Sequence, residues 1–217
     1  MPHTLPMTHR TRVARLSQRA SYDQATIFAI LDQALFATIA FSDGVDVHAI
    51  PTAIWREGSH LYIHGSNGSR LLKMLQKGMQ VCVSVTHIHG LVLARSAFHH
   101  SINYASVCIY GVFETVAEST KNQHMQRFVE HWMPGRWQHL RQPDKSELAA
   151  TTIMRIVIKE AVLKSRQGPP KDDADDMVYP VWAGVVPLQP QWQTPQQVVE
   201  QEGHNLPGLS VRDLSII

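Results

Sequence analysis

The sequence predicts a mainly β protein, an antiparallel barrel of six to seven strands, closed or partly closed, with a few small peripheral helices. Three observations point there. Short β-branched runs follow one another from Leu35 to Val116, with turn residues such as Asp43-Gly44 and Glu57-Gly58 between them, as in an antiparallel meander. Helical spacing is confined to short stretches inserted between strand pairs. No βαβ repeat occurs and no Gly-x-Gly-x-x-Gly follows a strand, which argues against a Rossmann cofactor site.

Residues 21–34 open with a capping-box pattern, Ser21-x-x-Gln24, and bring Ile27, Phe28, Leu31, Ala34 and Leu35 onto one helical face. Strands are expected over 35–41, 45–55 and 60–65. A short helix over 69–77 turns Leu71, Leu72 and Leu75 inward and ends at Gly78. Two strands, 79–86 and 91–94, precede a long β-rich run over 101–116. Thr120-x-x-Gln123 caps another helix, with Met125, Phe128, Val129 and Trp132 on one face and Pro134-Gly135 to stop it. Residues 152–163 alternate as a single strand, with Met154, Ile156 and Ile158 on one side. The Gly168-Pro169-Pro170 turn and the four aspartates over 172–176 make 164–176 a surface loop. Thr194-Pro195-Gln196-Gln197 can start a short terminal helix.

A chain of 217 residues is long enough for one domain with a substantial core. The expected organisation is a basic, flexible arm over 1–20, a barrel domain over 21–188 and a Pro/Gln-rich extension over 189–217. The formal net charge of +2 excludes general nucleic-acid affinity. Basic charge is local: Arg10, Arg12, Arg15 and Arg19 precede the first acid, Asp23. Four arginines release only a few counterions on a nucleic acid, so such a partner is not expected. Cys82 and Cys108 lie in apolar β-branched runs and read as free thiols of a reducing compartment. No stretch reaches the roughly 18 apolar residues of a membrane span, and the region around Pro2, His3, Pro6 and His9 lacks a signal-peptide core. A cytoplasmic protein is the expectation.

The most informative segment is His64-Gly65-Ser66-Asn67-Gly68-Ser69-Arg70, a strand passing through a polar turn into a helix. Free amides of a first turn, the Ser66 and Ser69 hydroxyls and the Arg70 fork suit a phosphate, with Lys73 adding charge. The plain alternative is that Ser69 caps the helix and Arg70 is solvated. In Ser101-Ile102-Asn103-Tyr104-Ala105-Ser106, alternation puts Ser101 and Asn103 on one face and Tyr104 and Ser106 on the other. Such a line of polar groups can grip a cofactor or simply bond across strands. His87-x-His89 and His99-His100 have no Cys-x-x-Cys or His-Glu-x-x-His beside them, so no metal site is expected. The absence of Gly-x-Ser-x-Gly argues against a hydrolase.

In their order, these segments resemble the pyridoxamine 5′-phosphate oxidase-like superfamily of FMN-binding split β-barrels, and within it the branch that includes nitroimidazole-resistance reductases. The resemblance spans 21–188. It rests on His48-Ala49-Ile50-Pro51-Thr52, the His64 to Arg70 junction, Leu91 to Phe98 followed by Ser101 to Val107, and Trp182-Ala183-Gly184-Val185-Val186-Pro187-Leu188. It implies a homodimer with FMN in grooves between subunits and a small, planar substrate. His48, Ile50, Pro51 and Thr52 would meet the ring edge, and His64 and Gly65 would border the ring or ribityl chain. Ser66, Ser69 and Arg70 would take the phosphate, Ser101, Tyr104 and Ser106 would line the groove, and Trp182 would approach it from the same chain or its partner. His64 and then Tyr104 are the candidates for acid or base. Two departures argue against pyridoxamine-phosphate oxidation: no Arg or Lys before Arg56 on the His48 strand, and no Arg-x-His after Trp182. The implied activity is flavin-dependent oxidoreduction. A flavin carrier or sensor without turnover, or a haem- or deazaflavin-binding barrel, are the alternatives, the histidines favouring haem.

Overall fold

The structure, a computed structural model, describes residues 3–193 and 196. In chain order the elements are β1 (Ala20–Ser21), α1 (Gln24–Gln33), β2 (Phe36–Ser42), β3 (Val47–Ala53), β4 (Trp55–Glu57), β5 (His60–Ser66), α2 (Arg70–Leu75), β6 (Gln80–Leu93), β7 (Ser101–Val112), β8 (Glu114–Thr115), α3 (Lys121–Trp132), α4 (Lys145–Ala150), β9 (Thr151–Val157), β10 (Ala161–Arg166) and β11 (Gly184–Pro187). Short 3₁₀ turns punctuate them, Glu118–Thr120 and Ala174–Val178 among them.

All pairings are antiparallel, in two sheets. The larger runs β1-β10-β7-β6-β2-β3, with β11 also on β6; the smaller runs β4-β5-β9-β8. The chain passes between sheets through α2, from β5 to β6, and at three corners: Ile54 between β3 and β4, Phe113 between β7 and β8, and the turn at 158–160 between β9 and β10. Ile54, Phe113 and Ile158 are all buried. An apolar residue at each bend lets a strand change sheets without leaving the core, and the barrel is closed in this split manner.

Alternation decides what fills the barrel. Val81, Val83 and Val85 of β6, Val107 and Ile109 of β7, Leu61 and Ile63 of β5, and Met154 and Ile156 of β9 point into one core. Ile27 and Leu31 of α1 and Leu71, Leu72 and Leu75 of α2 join it. A second cluster, Trp55, Tyr62, Val116, Phe128 and Ile153, packs α3 onto the smaller sheet. There Glu57 accepts from Trp55 Nε1 at 2.7 Å and pairs with His124 Nδ1 at 3.0 Å, tying the helix to β4.

Several sequence expectations need correction. The first helix is capped by Asp23, whose carboxylate accepts from the Thr26 amide at 2.8 Å; Ser21 is instead in β1, paired with Leu163. Thr120 does not cap α3, because its hydroxyl donates to the Ala117 carbonyl. The strands expected over 79–86 and 91–94 are one strand, β6, with a bulge between Ile88 and Gly90. The single strand expected over 152–163 is two, since the corner at 158–160 divides β9 from β10. Helix α4 was missed, although Asp144-x-x-Glu147 is a complete capping box.

Residues 3–20, expected as an arm, lie against the barrel. Thr4 bridges to Asp23, Leu5 and Thr11 are buried, and the Arg10 guanidinium forks onto Glu160 in the third corner. The terminal helix expected from Thr194 lies outside the described residues, apart from Gln196.

Candidate functional site

The expected site residues fall into two groups. The first gathers around β3, an edge strand of the larger sheet, and the end of β5. Pro51, with no N–H for a ladder, sits where sheets accommodate proline. His48 lies opposite Phe41 in the ladder, with ring centroids 5.0 Å apart, while Ile50 packs against the barrel core. Thr52, opposite Ala37, is partly buried.

Asp43, in the hairpin turn before β3, organises this corner. Its carboxylate accepts the Val45 and Asp46 amides at 3.0 and 2.8 Å and meets His48 Nε2 at 2.8 Å. The Asp46 amide, then the His48 ring and the Val45 amide hold this carboxyl well below the usual carboxylate range. Arg70 Nη2 reaches the same His48 Nε2 at 3.2 Å and the Asp43 carboxylate at 3.8 Å. One ring nitrogen cannot donate to Asp43 and accept from Arg70 at once. Arg70, its side chain 67% exposed, therefore keeps donors free for an anion.

The turn before α2 is differently engaged. Ser66 Oγ accepts the Gly68 amide and Ser69 Oγ caps the Leu72 amide, so both hydroxyls already serve the turn. Asn67 pins it to the start of β9, donating to the Ala149 carbonyl at 2.7 Å and accepting from Thr152 at 2.7 Å. Gly65 admits the Leu72 side chain, which a Cβ there would meet at 3.1 Å.

His64 faces α3, not the barrel. Its ring lies 4.3 Å from Phe128 and 5.9 Å from Trp55, and its buried Nδ1 has no partner among the described residues. Burial pushes its pKa below the ordinary histidine value, favouring the neutral ring.

The second group lies across the larger sheet, separated from β3 by β6 and β2. Ser101 is opposite Val92 on β6, and Gly184 on β11 is opposite Leu93, so Trp182 lies at the same end as Ser101. The indole of Trp182 covers Gly184 and is 65% exposed. Tyr104 is opposite Arg166, and the Ser106 hydroxyl donates to the Lys164 carbonyl at 3.2 Å. One chain thus brings His48 and Arg70 together at one corner and Ser101 and Trp182 to one end of the larger sheet, while Tyr104 and Ser106 take the other face of β7 and His64 turns toward α3.

Sequence reasoning missed Arg166. This buried guanidinium donates to Asn103 Oδ1 and to the carbonyls of Gly168 and Pro169, each 3.0 Å away. Its signal, an arginine after Lys164 and Ser165 at the end of β10, does not stand out in the sequence. Also missed was the convergence of His99, Asp173 and Asp176, whose ligand atoms lie within 4.8 Å of one another. Asp173 and Asp176 sit one 3₁₀ turn apart, which eclipses their side chains.

Residues 23–165 match the pyridoxamine 5′-phosphate oxidase family. Among solved structures, the chain is similar to the flavocytochrome Anf3 from Azotobacter vinelandii, with 36% identity, 95% of each chain covered and a TM-score of 0.84. It is also similar to the FAD and heme binding protein from Mycobacterium smegmatis, with 35% identity over 88% of this chain and 94% of that one, TM-score 0.85. A putative 5-nitroimidazole antibiotic resistance protein from Bacteroides thetaiotaomicron shares the fold at 17% identity, with 67% and 85% covered and a TM-score of 0.57. No curated protein matches the chain.

Proposed function

Because the chain belongs to the pyridoxamine 5′-phosphate oxidase family, we propose that it is a flavin-dependent oxidoreductase, working as a cytoplasmic homodimer on a small, planar substrate. The observation that carries this reading is Arg70: an exposed guanidinium beside an edge strand, sharing one carboxylate with His48. A flavin phosphate would take the fork that Asp43 and His48 only partly engage, and the ring would lie along β3, where edge backbone groups can meet its polar rim. FMN is the smallest flavin that meets these needs. FAD presents a phosphate of the same chemistry, and the likeness to an FAD- and haem-binding protein supports it equally.

A homodimer would let Ser101, Tyr104 and Trp182 of a second copy complete the groove that one chain leaves divided. The two free thiols suit a reducing compartment. No helix among the described residues is long and apolar enough to cross a membrane. Pyridoxamine phosphate is not the substrate in this reading, since β3 carries no lysine or arginine for a second phosphate.

Haem as a second cofactor is supported by two buried imidazole nitrogens without partners among the described residues, His64 Nδ1 and His89 Nε2. Burial pushes both rings toward the neutral form, the state that ligates iron. Bound haem would supply one-electron chemistry beside the flavin's hydride chemistry.

The test is the absorption spectrum of the purified protein before and after loading with FMN, FAD and haem and desalting. Retained flavin bands support the reading, and the extracted nucleotide identifies the flavin. A Soret band lost in His64→Ala or His89→Ala supports haem ligation. Protein that retains neither flavin refutes the main reading.

A further inference from the structure

Cys82 on β6 and Cys108 on β7 lie outside the candidate site. In the ladder Cys82 is opposite Tyr110 and Cys108 is opposite Ser84, so the cysteines are diagonal neighbours. Val81, Val83, Val107 and Ile109 point into the core, which puts Cys82, Cys108 and Tyr110 together on the outer face. Their neighbours there are small or apolar: Ala40 is opposite Cys82 on one side and Val162 is opposite Cys108 on the other. Both thiols are free and only partly buried.

The charged groups around them come from two other segments. Arg10, from the amino-terminal segment, lies over the Tyr110 ring at 5.3 Å, bonds Gln80 at 3.0 Å, and is fixed by Glu160 of the third corner. Tyr110 is directly opposite Cys82 and Cys108 is diagonal to it, and these polar neighbours, together with the Arg10 guanidinium, favour the Cys82 thiolate. Together these lower Cys82 to about 7, against the opposing effect of burial. Cys108 is pushed up by the Cys82 sulfur beside it and by burial. One sulfur is thus readied as nucleophile while the other holds its proton.

We propose that Cys82 and Cys108 form a reversible covalent modification site, in which Cys82 captures a low-molecular-weight disulfide and Cys108 resolves it into an intrachain disulfide. With glutathione disulfide, the Cys82 thiolate attacks one sulfur, forming a mixed disulfide and breaking the S–S bond. The first glutathione leaves as a thiolate and takes up the Cys82 proton from solvent. Cys108 then gives up its proton and attacks the Cys82 sulfur, expelling the second glutathione, which is protonated in turn. Two protein thiols are oxidised by two electrons, and one glutathione disulfide is reduced to two thiols. Diagonal cross-strand positions lie about 7–8 Å apart at Cα, beyond the roughly 6.8 Å that unstrained disulfides span. The resulting bond must draw the strands together, so it is easily reduced, as befits a reversible mark.

The experiment uses the full-length protein, reduced and desalted, then exposed to glutathione disulfide and read by intact mass and peptide mapping. The expected product is a chain lacking two hydrogens, with the peptides carrying Cys82 and Cys108 linked and dithiothreitol reversing the link. Cys108→Ala should stop with one glutathione on Cys82, and Cys82→Ala should leave Cys108 unmodified. As a second readout, the pH at half-maximal alkylation of Cys82 should lie near 7 and rise in Cys108→Ala, which removes the neighbouring thiol. Circular dichroism checks that each variant is folded. Folded wild-type protein whose thiols react only after denaturation, or that keeps glutathione on Cys82 without forming the link, overturns the proposal. So does equal reactivity of the two cysteines.

Discussion

Arg70 and His48 meet at a single ring nitrogen, Nη2 to Nε2 at 3.2 Å, and both also approach the Asp43 carboxylate. The three groups cannot all be satisfied among themselves, which leaves Arg70 donors free to meet an added anion. Arg70→Ala is expected to weaken flavin affinity about 10- to 150-fold, the loss of one charge-assisted bond of roughly 1.5–3 kcal/mol. Fluorescence titration measures it, and an unchanged Kd removes Arg70 from the site. Asp43→Asn, which frees Arg70 from its competing carboxylate, should not weaken binding.

The buried His64 ring gives stability a pH dependence. Its pKa lies below the ordinary value of 6.5 because burial disfavours the charged ring, so the unfolded chain takes the proton first as pH falls. Stability should therefore drop between 6.5 and the lowered folded value and be unaffected by this group above 6.5. His64→Phe should reduce that drop in urea unfolding, while His60 and His89, also lowered chiefly by burial, leave a residual slope. Identical pH profiles for the variant and the parent would refute it.

Arg166→Met should destabilise by about 1–3 kcal/mol, because it leaves the buried Asn103 Oδ1 without its donor. Lysine has no planar fork and should rescue only partly. Equilibrium denaturation of both variants is the check, and a Met variant as stable as the parent contradicts the argument.

Gly90 has φ +154, and a Cβ there would stand 2.5 Å from the Val186 carbonyl oxygen. That obstacle is backbone, so Gly90→Ala should lift β11 from β6 at a cost of about 1–3 kcal/mol. Faster proteolysis between residues 177 and 183 would report it. If Trp182 serves a partner's groove, size-exclusion chromatography should also show weaker dimerisation.

Much of this molecule was legible because its signals are local. Asp43-Gly44 and Glu57-Gly58 mark real hairpins, and the spacing of Leu71, Leu72 and Leu75 identifies the buried side of α2. What sequence could not give is what depends on distant segments meeting. A corner such as Ile158 looks like the continuation of an alternating strand, because a bend at a buried residue keeps the apolar rhythm. The bulge at Gly90 likewise resembled a gap between strands, although the ladder resumes beyond it. The junction before α2 was found, yet the competitor for Arg70, Asp43, is in another hairpin and has no local mark. Arg166 and the His99, Asp173 and Asp176 convergence were missed for the same reason.

The clamp between Arg10 and Glu160 joins groups 150 residues apart. During synthesis Arg10 must therefore wait for its partner until the corner at 158–160 has emerged and β10 offers its edge to β1. Closure of so long a loop is slow relative to hairpin formation. The amino-terminal segment is thus a latch that shuts last, and until then Cys82 stands beside a tyrosine without its cation.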